Sequence, residues 1–447
     1  MTRTRTTTNL AVGAAAASLL LAGCGADTPQ AGSTGNPAPS ASTTETASDE
    51  NKNYVDLQTP TFSDPTSITN PLFPISDLDQ VIQLGEEAGT RLRFEVTRLP
   101  ETKTIEWDGQ SVETVQSQFV AYGDGRVLEV ATDYFAQADD GAVWYFGEQV
   151  DNYEDGVIAN NDGTWLAGKD GPPGMIMPAD PQVGDVYRPE NVPDVVFEEV
   201  TVLEVDQTVP GPRGDVEGAI RIQERLMDGA TEGKTFAPAY GEFQAIVESE
   251  QELVEMGLAV PADFLGGPAP AELTAMSAGG DALRAAASAG DFDSVSASLD
   301  DLRAAWGTLR GDTTPPFVAD QTDAALAAVD AAIEASDAGA AAQAAIDLTH
   351  ASLDLQLQHL AVPEVDLARF RLWVEQLQLD TATEDQALIA GDAAILETIW
   401  LRVGHTVDAA ASGGLAGQLD VVRGAADDGD SSAAAAAATA LMDALTG

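Results

Sequence analysis

The chain has 447 residues, 44 % of them hydrophobic, with 73 Asp and Glu against 21 Lys and Arg and a net charge of −52 at pH 7. That length exceeds one ordinary core of roughly 100–150 residues and predicts two domains plus tails. The acid excess repels phosphate backbones and excludes nucleic acid as a partner; one cysteine excludes an intramolecular disulfide, and three histidines leave little for a nitrogen-rich metal site.

At the N-terminus, Arg3 and Arg5 precede an apolar stretch from Leu10 to Ala22 that is too short to span a bilayer, which needs roughly 20 residues. It ends in Leu21-Ala22-Gly23-Cys24, a quartet that resembles the lipobox of bacterial lipoproteins. The resemblance implies that residues 1–23 are a signal peptide, that Cys24 is acylated, and that the lipid fixes the chain to the outer face of the cell membrane. Cleavage would remove two arginines and no acid, moving the charge from −52 to −54. After Cys24, residues to 54 are mostly Ser, Thr, Pro, Gly, Ala and acids with little to bury, a disordered tether of roughly 30 Å.

From 55 to 260 the texture is β. Leu92, Phe94 and Val96 alternate with Arg91, Arg93, Glu95 and Thr97, and Phe243, Ala245 and Val247 repeat the pattern. Turn signals at Asp108-Gly109, Asp124-Gly125, Asp140-Gly141, Asp162-Gly163 and Pro210-Gly211 separate the runs, which predicts an antiparallel meander, either a curved sheet or an open barrel.

The segments Asn70-Pro71-Leu72-Phe73-Pro74, Val143-Trp144-Tyr145-Phe146-Gly147-Glu148, Gly163-Thr164-Trp165 and Met177-Pro178 are similar to a β domain of lipoproteins from high-GC, actinobacterial-type bacteria. That resemblance covers most of residues 65–250 and implies a location and a fold, with no activity attached. The run Phe236 to Phe243 is similar to the last hairpin of curved-sheet periplasmic domains, some of which hold lipids, although glycine is usual where Ala239 stands.

Prolines and glycines at 261–270 mark a linker, beyond which Ala, Asp and Leu dominate to residue 447. Phe292, Val295, Leu299, Leu302, Trp306 and Leu309 follow steps of three and four, the seam of an amphipathic helix. Ninety-four residues on, Ile389, Ala393, Leu396, Trp400 and Val403 repeat it, tryptophan on tryptophan. We therefore expect an internal duplication, residues 289–352 and 383–445, of three helices each, with an extra helix between them, forming an antiparallel bundle. The expected fold class is α+β in two domains, each able to fold alone.

No catalytic constellation is found: there is no Gly-x-Ser-x-Gly, no phosphate loop and no His-Glu-x-x-His, and the β domain holds no histidine. His350 continues an inward seam, with Asp347 and Asp354 on a neighbouring face; an antiparallel next helix would set Asp354 near Arg371 and His350 near Glu375. That set reads as an ion-pair network fixing helix register, with a metal site of His350, Asp354, Glu375 and Asp347 as the competing reading. In the β domain, Asp133, Asp139, Asp140, Glu148 and Asp151 read as turn formers and solvated charge, with calcium as the competing reading. Trp144, Phe146 and Trp165 read as core, with a ligand groove as the alternative. Nonspecific divalent cations are the only cofactor expected. The expected function is a lipid-anchored binding or scaffolding module; the alternatives are a small-ligand or lipid carrier on the curved sheet and a metal-handling protein centred on His350.

Overall fold

A computed structural model describes residues 13–14, 17–18, 52–87, 89–211, 214–247, 252–260, 265–311 and 314–446; Cys24 and most of the expected signal and tether lie outside the described residues. Gly13–Ala14 pairs with Ala17–Ser18 apart from the main sheet. The fold is α+β, a curled antiparallel sheet forming a half-barrel, followed by eight helices.

The 15 strands are β1 (Asn53–Tyr54), β2 (Gln80–Glu87), β3 (Thr90–Trp107), β4 (Gln110–Gly123), β5 (Arg126–Gln137), β6 (Val143–Glu154), β7 (Val157–Asn160), β8 (Trp165–Leu166), β9 (Gly174–Met177), β10 (Asp185–Val192), β11 (Val196–Gly211), β12 (Gly214–Leu226), β13 (Thr231–Ala237), β14 (Gly241–Val247) and β15 (Glu252–Val260). Their order is β8-β6-β5-β4-β3-β2-β15-β14-β13-β12-β11-β10-β1, with β7 and β9 also paired to β6. Asp-Gly pairs with positive φ make the tight turns at Asp108-Gly109 and Asp124-Gly125. The first long strand, β2, lies between β3 and the last strand, β15. The sheet then curls until its ends approach, and Trp165 of β8 donates its indole N–H to Glu190 of β10 at 2.6 Å. Gly147, at φ 112°, is where β8 crosses β6; a side chain there would strike the Trp165 carbonyl.

The concave face is filled. Leu92 and Phe94 meet Phe119, Ala131 and Val150, and Phe135, Tyr145, Phe146 and Trp165 meet Tyr187, Val200 and Ile222 from the far limb of the curl. The segment before β2 plugs this interior: Phe73 packs edge-on to Phe135, Phe62 to Phe146, and the Asn70 amide ties down the Gly141 and Pro178 carbonyls. Ala239 closes the β13–β14 hairpin at φ 72°, a left-handed conformation that explains why glycine is the natural residue there.

The helices are α1 (Ala271–Ser288), α2 (Phe292–Leu309), α3 (Pro316–Ala335), α4 (Ala338–Gln356), α5 (Val362–Thr381), α6 (Gln386–Val403), α7 (Ala409–Asp427) and α8 (Ser431–Thr446). The duplication is larger than the sequence reading. The buried seam of α1, Met276, Gly280 and Leu283, falls 94 residues later on Phe370, Val374 and Leu377 of α5, all fully buried. The supposed extra helix is thus the counterpart of α1, and the region is two four-helix units, α1–α4 and α5–α8. Its signal was masked because α5 carries Asp366, Arg369, Glu375 and Asp380 between its apolar positions.

These units pack on the convex face of the sheet. Ile82 and Leu84 join the core of the first unit, while Val120, Tyr122 and Val127 join that of the second, with Tyr122 stacked on Trp373. Between them runs a buried lattice of three guanidiniums and three carboxylates. Arg93 of β3 binds both oxygens of Asp354 at 2.7 and 2.8 Å and Glu95 at 2.8 Å. Arg369 of α5 holds Asp354 at 2.6 Å, Asp366 at 2.8 Å and Gln80 of β2 at 2.6 Å; Arg402 of α6 holds Glu95 at 2.7 Å and Gln118 of β4 at 2.5 Å. The linker therefore joins two halves that share one buried interface, and independent folding is not what this packing supports. Removing one member leaves an uncompensated buried charge, so Arg369→Met should cost about 3–5 kcal/mol in urea unfolding and separate the loss of helical from β circular dichroism; one unshifted, coincident transition would contradict the lattice's role.

Candidate functional site

Where the convex face passes beneath α6 and α7, the two surfaces diverge and leave a groove of about 1020 Å³. Its floor is built by strand alternation. Gln118, Thr132 and Gln149 are cross-strand neighbours on β4, β5 and β6, so the pairing places a row of neutral polar groups on one face. Gln118 is tied to the Thr398 carbonyl and Arg402, whereas Gln116, Thr132 and Gln149 make no side-chain hydrogen bond among the described residues. Tyr153 stands beside them, its hydroxyl pushed up to about 12 by burial and then by Asp151.

The opposite wall is helical. Trp400, half-buried and packed on Phe370, lines the groove with Leu401 and Leu419. Gly156, at φ 77° in the β6–β7 turn, lets the sheet edge touch α6, since a side chain there would strike the Ala387 carbonyl and the Gly391 nitrogen. That contact closes one end; Val157, Ile158 and Leu401, each at least half exposed, form an apolar rim.

The sequence-derived candidates lie elsewhere. Trp144, Phe146 and Trp165 are core residues, each 5 % exposed or less. His350 packs edge-on to Trp373 at 5.7 Å, and burial, then Arg93, brings its imidazole down to about 4. Asp354 is consumed by Arg93 and Arg369 and not by Arg371; Glu375 binds Arg284 at 2.5 Å, and Asp347 accepts from Gln343 at 3.1 Å. These four thus join separate partners. Of the acidic loop set, Asp139 caps Thr61 and Ser63, Asp140 shapes its own turn, and Asp151 receives Asn161. Among the described residues no group of three or more His, Cys, Asp or Glu is arranged to hold a metal ion.

Asp133 and Glu148 do come together, opposite one another on β5 and β6 inside the curl. Around them lie Glu129 and Glu190, and further along Glu198, Glu224 and Glu232, all buried, with Lys234 bound to Glu224. Burial, and then Glu190, lifts Glu129 to about 8; burial, reinforced by neighbouring acids, holds Asp133, Glu148 and Glu198 well above the carboxylate range. Burial opposes the Lys234 ammonium, but Glu224 and its neighbours keep it charged. Glu129, Asp133, Glu148 and Glu198 are thereby shifted toward the protonated form, with the Tyr145 hydroxyl donating to Asp133 at 2.8 Å.

No family model, curated protein or solved structure matches the chain. The groove floor was missed because an amide alternating outward reads as an ordinary solvated face. Its signal is that residues 116, 118, 132 and 149 are neutral in a chain with 73 acids. For the interior acids the sign is definite. A carboxyl raised in the fold contributes stability fully present below its ordinary range near 4.5, and loses it as pH climbs to the folded value. The melting temperature should therefore fall between pH 5 and about 8, and Glu129→Gln should flatten that fall in differential scanning calorimetry; a Glu129→Gln profile parallel to the parent would show that Glu129 is not among the groups responsible.

Proposed function

We propose that the chain is a lipid-anchored binding protein on the outer face of the cell membrane, held by acyl groups on Cys24, and that it takes its ligand in the seam between the convex sheet face and α6–α7. The observation that carries the ligand site is the groove itself. Its volume of about 1020 Å³ is at the top of the range of roughly 300–1,000 Å³ usual for ligand pockets. By contrast, the apolar pocket at the mouth of the concave face, lined by Phe73, Leu78, Val81 and Tyr240, holds about 70 Å³, and that interior is otherwise filled by rings and carboxyls. This favours the seam over a lipid carried within the curl. The anchor rests on the basic head, the short apolar stretch and the lone cysteine. No described helix is long and apolar enough to cross a membrane.

Cys24→Ser should leave the protein unacylated and shift it out of the detergent phase on partitioning; continued acylation and membrane binding would refute the anchor. For the groove, native mass spectrometry of protein purified from its own host should show a retained small molecule that Ala416→Trp, which fills the groove, expels. Undiminished retention in that variant would place the ligand elsewhere.

A further inference from the structure

Resting on that groove, we propose that the ligand is a neutral carbohydrate chain, bound along the row of Thr132 and Gln149 with its rings against Tyr153 and Trp400. Three features of the lining point the same way. The first is charge. Glu397, Asp151, Asp420 and Asp427 surround the groove, and the guanidinium among them, Arg423, is already held by Glu397 at 2.6 and 3.0 Å. An anionic ligand would meet repulsion with no free guanidinium to receive it.

The second feature is the unspent hydrogen-bonding capacity. Gln116, Thr132 and Gln149 offer two amides and a hydroxyl, each able to donate and accept, which matches hydroxyl groups that do the same. A purely apolar ligand would strand these groups without partners. Thr132 and Gln149 sit on adjacent strands, and inter-strand spacing is about 4.8 Å, comparable to the length of one pyranose unit. Successive sugars can therefore meet successive strands.

The third is the pair of half-buried rings, Tyr153 on the sheet and Trp400 on α6, which face the groove from its two walls. Sugar rings carry one polar edge and apolar C–H faces, and aromatic side chains with a polar handle suit such amphipathic partners. The volume, at the top of the usual range, has room for more than one sugar unit.

Isothermal titration of the full-length chain in detergent with maltohexaose, cellohexaose and chitohexaose tests this directly. At least one should bind saturably and change tryptophan fluorescence. Gln149→Ala, at an exposed position that leaves the fold intact, should weaken binding about tenfold. Trp400→Ala should do the same or more, with Trp400→Phe restoring part of the affinity if the ring face is what counts. If no hexasaccharide binds while Ala416→Trp still expels the host's ligand, the carbohydrate class is wrong and the groove stands. If none binds and Ala416→Trp expels nothing, both fall. Binding unchanged by Gln149→Ala and Ala416→Trp would place the sugar at another site and overturn the proposal.

Discussion

The helical half is held to the sheet by charge that is largely buried. Arg93, Arg369 and Arg402 alternate with Glu95, Asp354 and Asp366, and Gln80 and Gln118 accept from Arg369 and Arg402. Taking such ions from water costs several kcal/mol each, and the cost is recovered only if the geometry is good and the leftover lone pairs are satisfied. Bidentate Arg93–Asp354 meets that condition. The lattice specifies one docking register: α6 displaced by one turn would put Thr398 in place of Arg402 and leave Glu95 short of its partner. The groove depends on this, because its floor belongs to the sheet and its wall to α6 and α7.

The same chain handles buried acid in two opposite ways. On the convex face every lattice carboxylate has an arginine, and Glu95 is held well below the ordinary range: burial alone would raise it, and Arg93 and Arg402 overcome that. On the concave face Glu224 takes Lys234, and burial instead pushes Glu129, Asp133, Glu148 and Glu198 toward the protonated form. A chain with 73 acids and 21 bases cannot pair them all, so neutralisation by proton replaces neutralisation by arginine wherever bases run out. One face is consequently tuned to withstand acid and the other to prefer it.

Much of the architecture was legible because periodicity is a property of single elements. The alternation at Leu92 to Thr97 located β3, and the seam and its 94-residue offset located α2 and α6. What stayed hidden depends on partners distant in sequence. Arg93 and Glu95 read as the wet face of a strand; only packing against α4 and α6, more than 250 residues later, makes that face a core. His350 was read as inward-facing and Asp354 as lying on a neighbouring face; Asp354 is fully buried because its partner Arg93 lies on the sheet, and no helical wheel could supply it. Asp133 and Glu148 read as solvated charge for the same reason, since Glu190 and Glu148 meet only when the sheet closes on itself.

Trp306 and Trp400 occupy equivalent places in the two helical units, yet their surroundings have parted. Trp306 is buried and spends its indole N–H on Asp323 at 2.7 Å, whereas Trp400 is half open to the groove. A gene segment copied once carries every structural obligation twice. Since only the second unit's copy faces the sheet's polar row, selection can hold the first tryptophan to packing while the second drifts toward whatever enters the groove. Duplication here doubled a core and released one of its residues to explore.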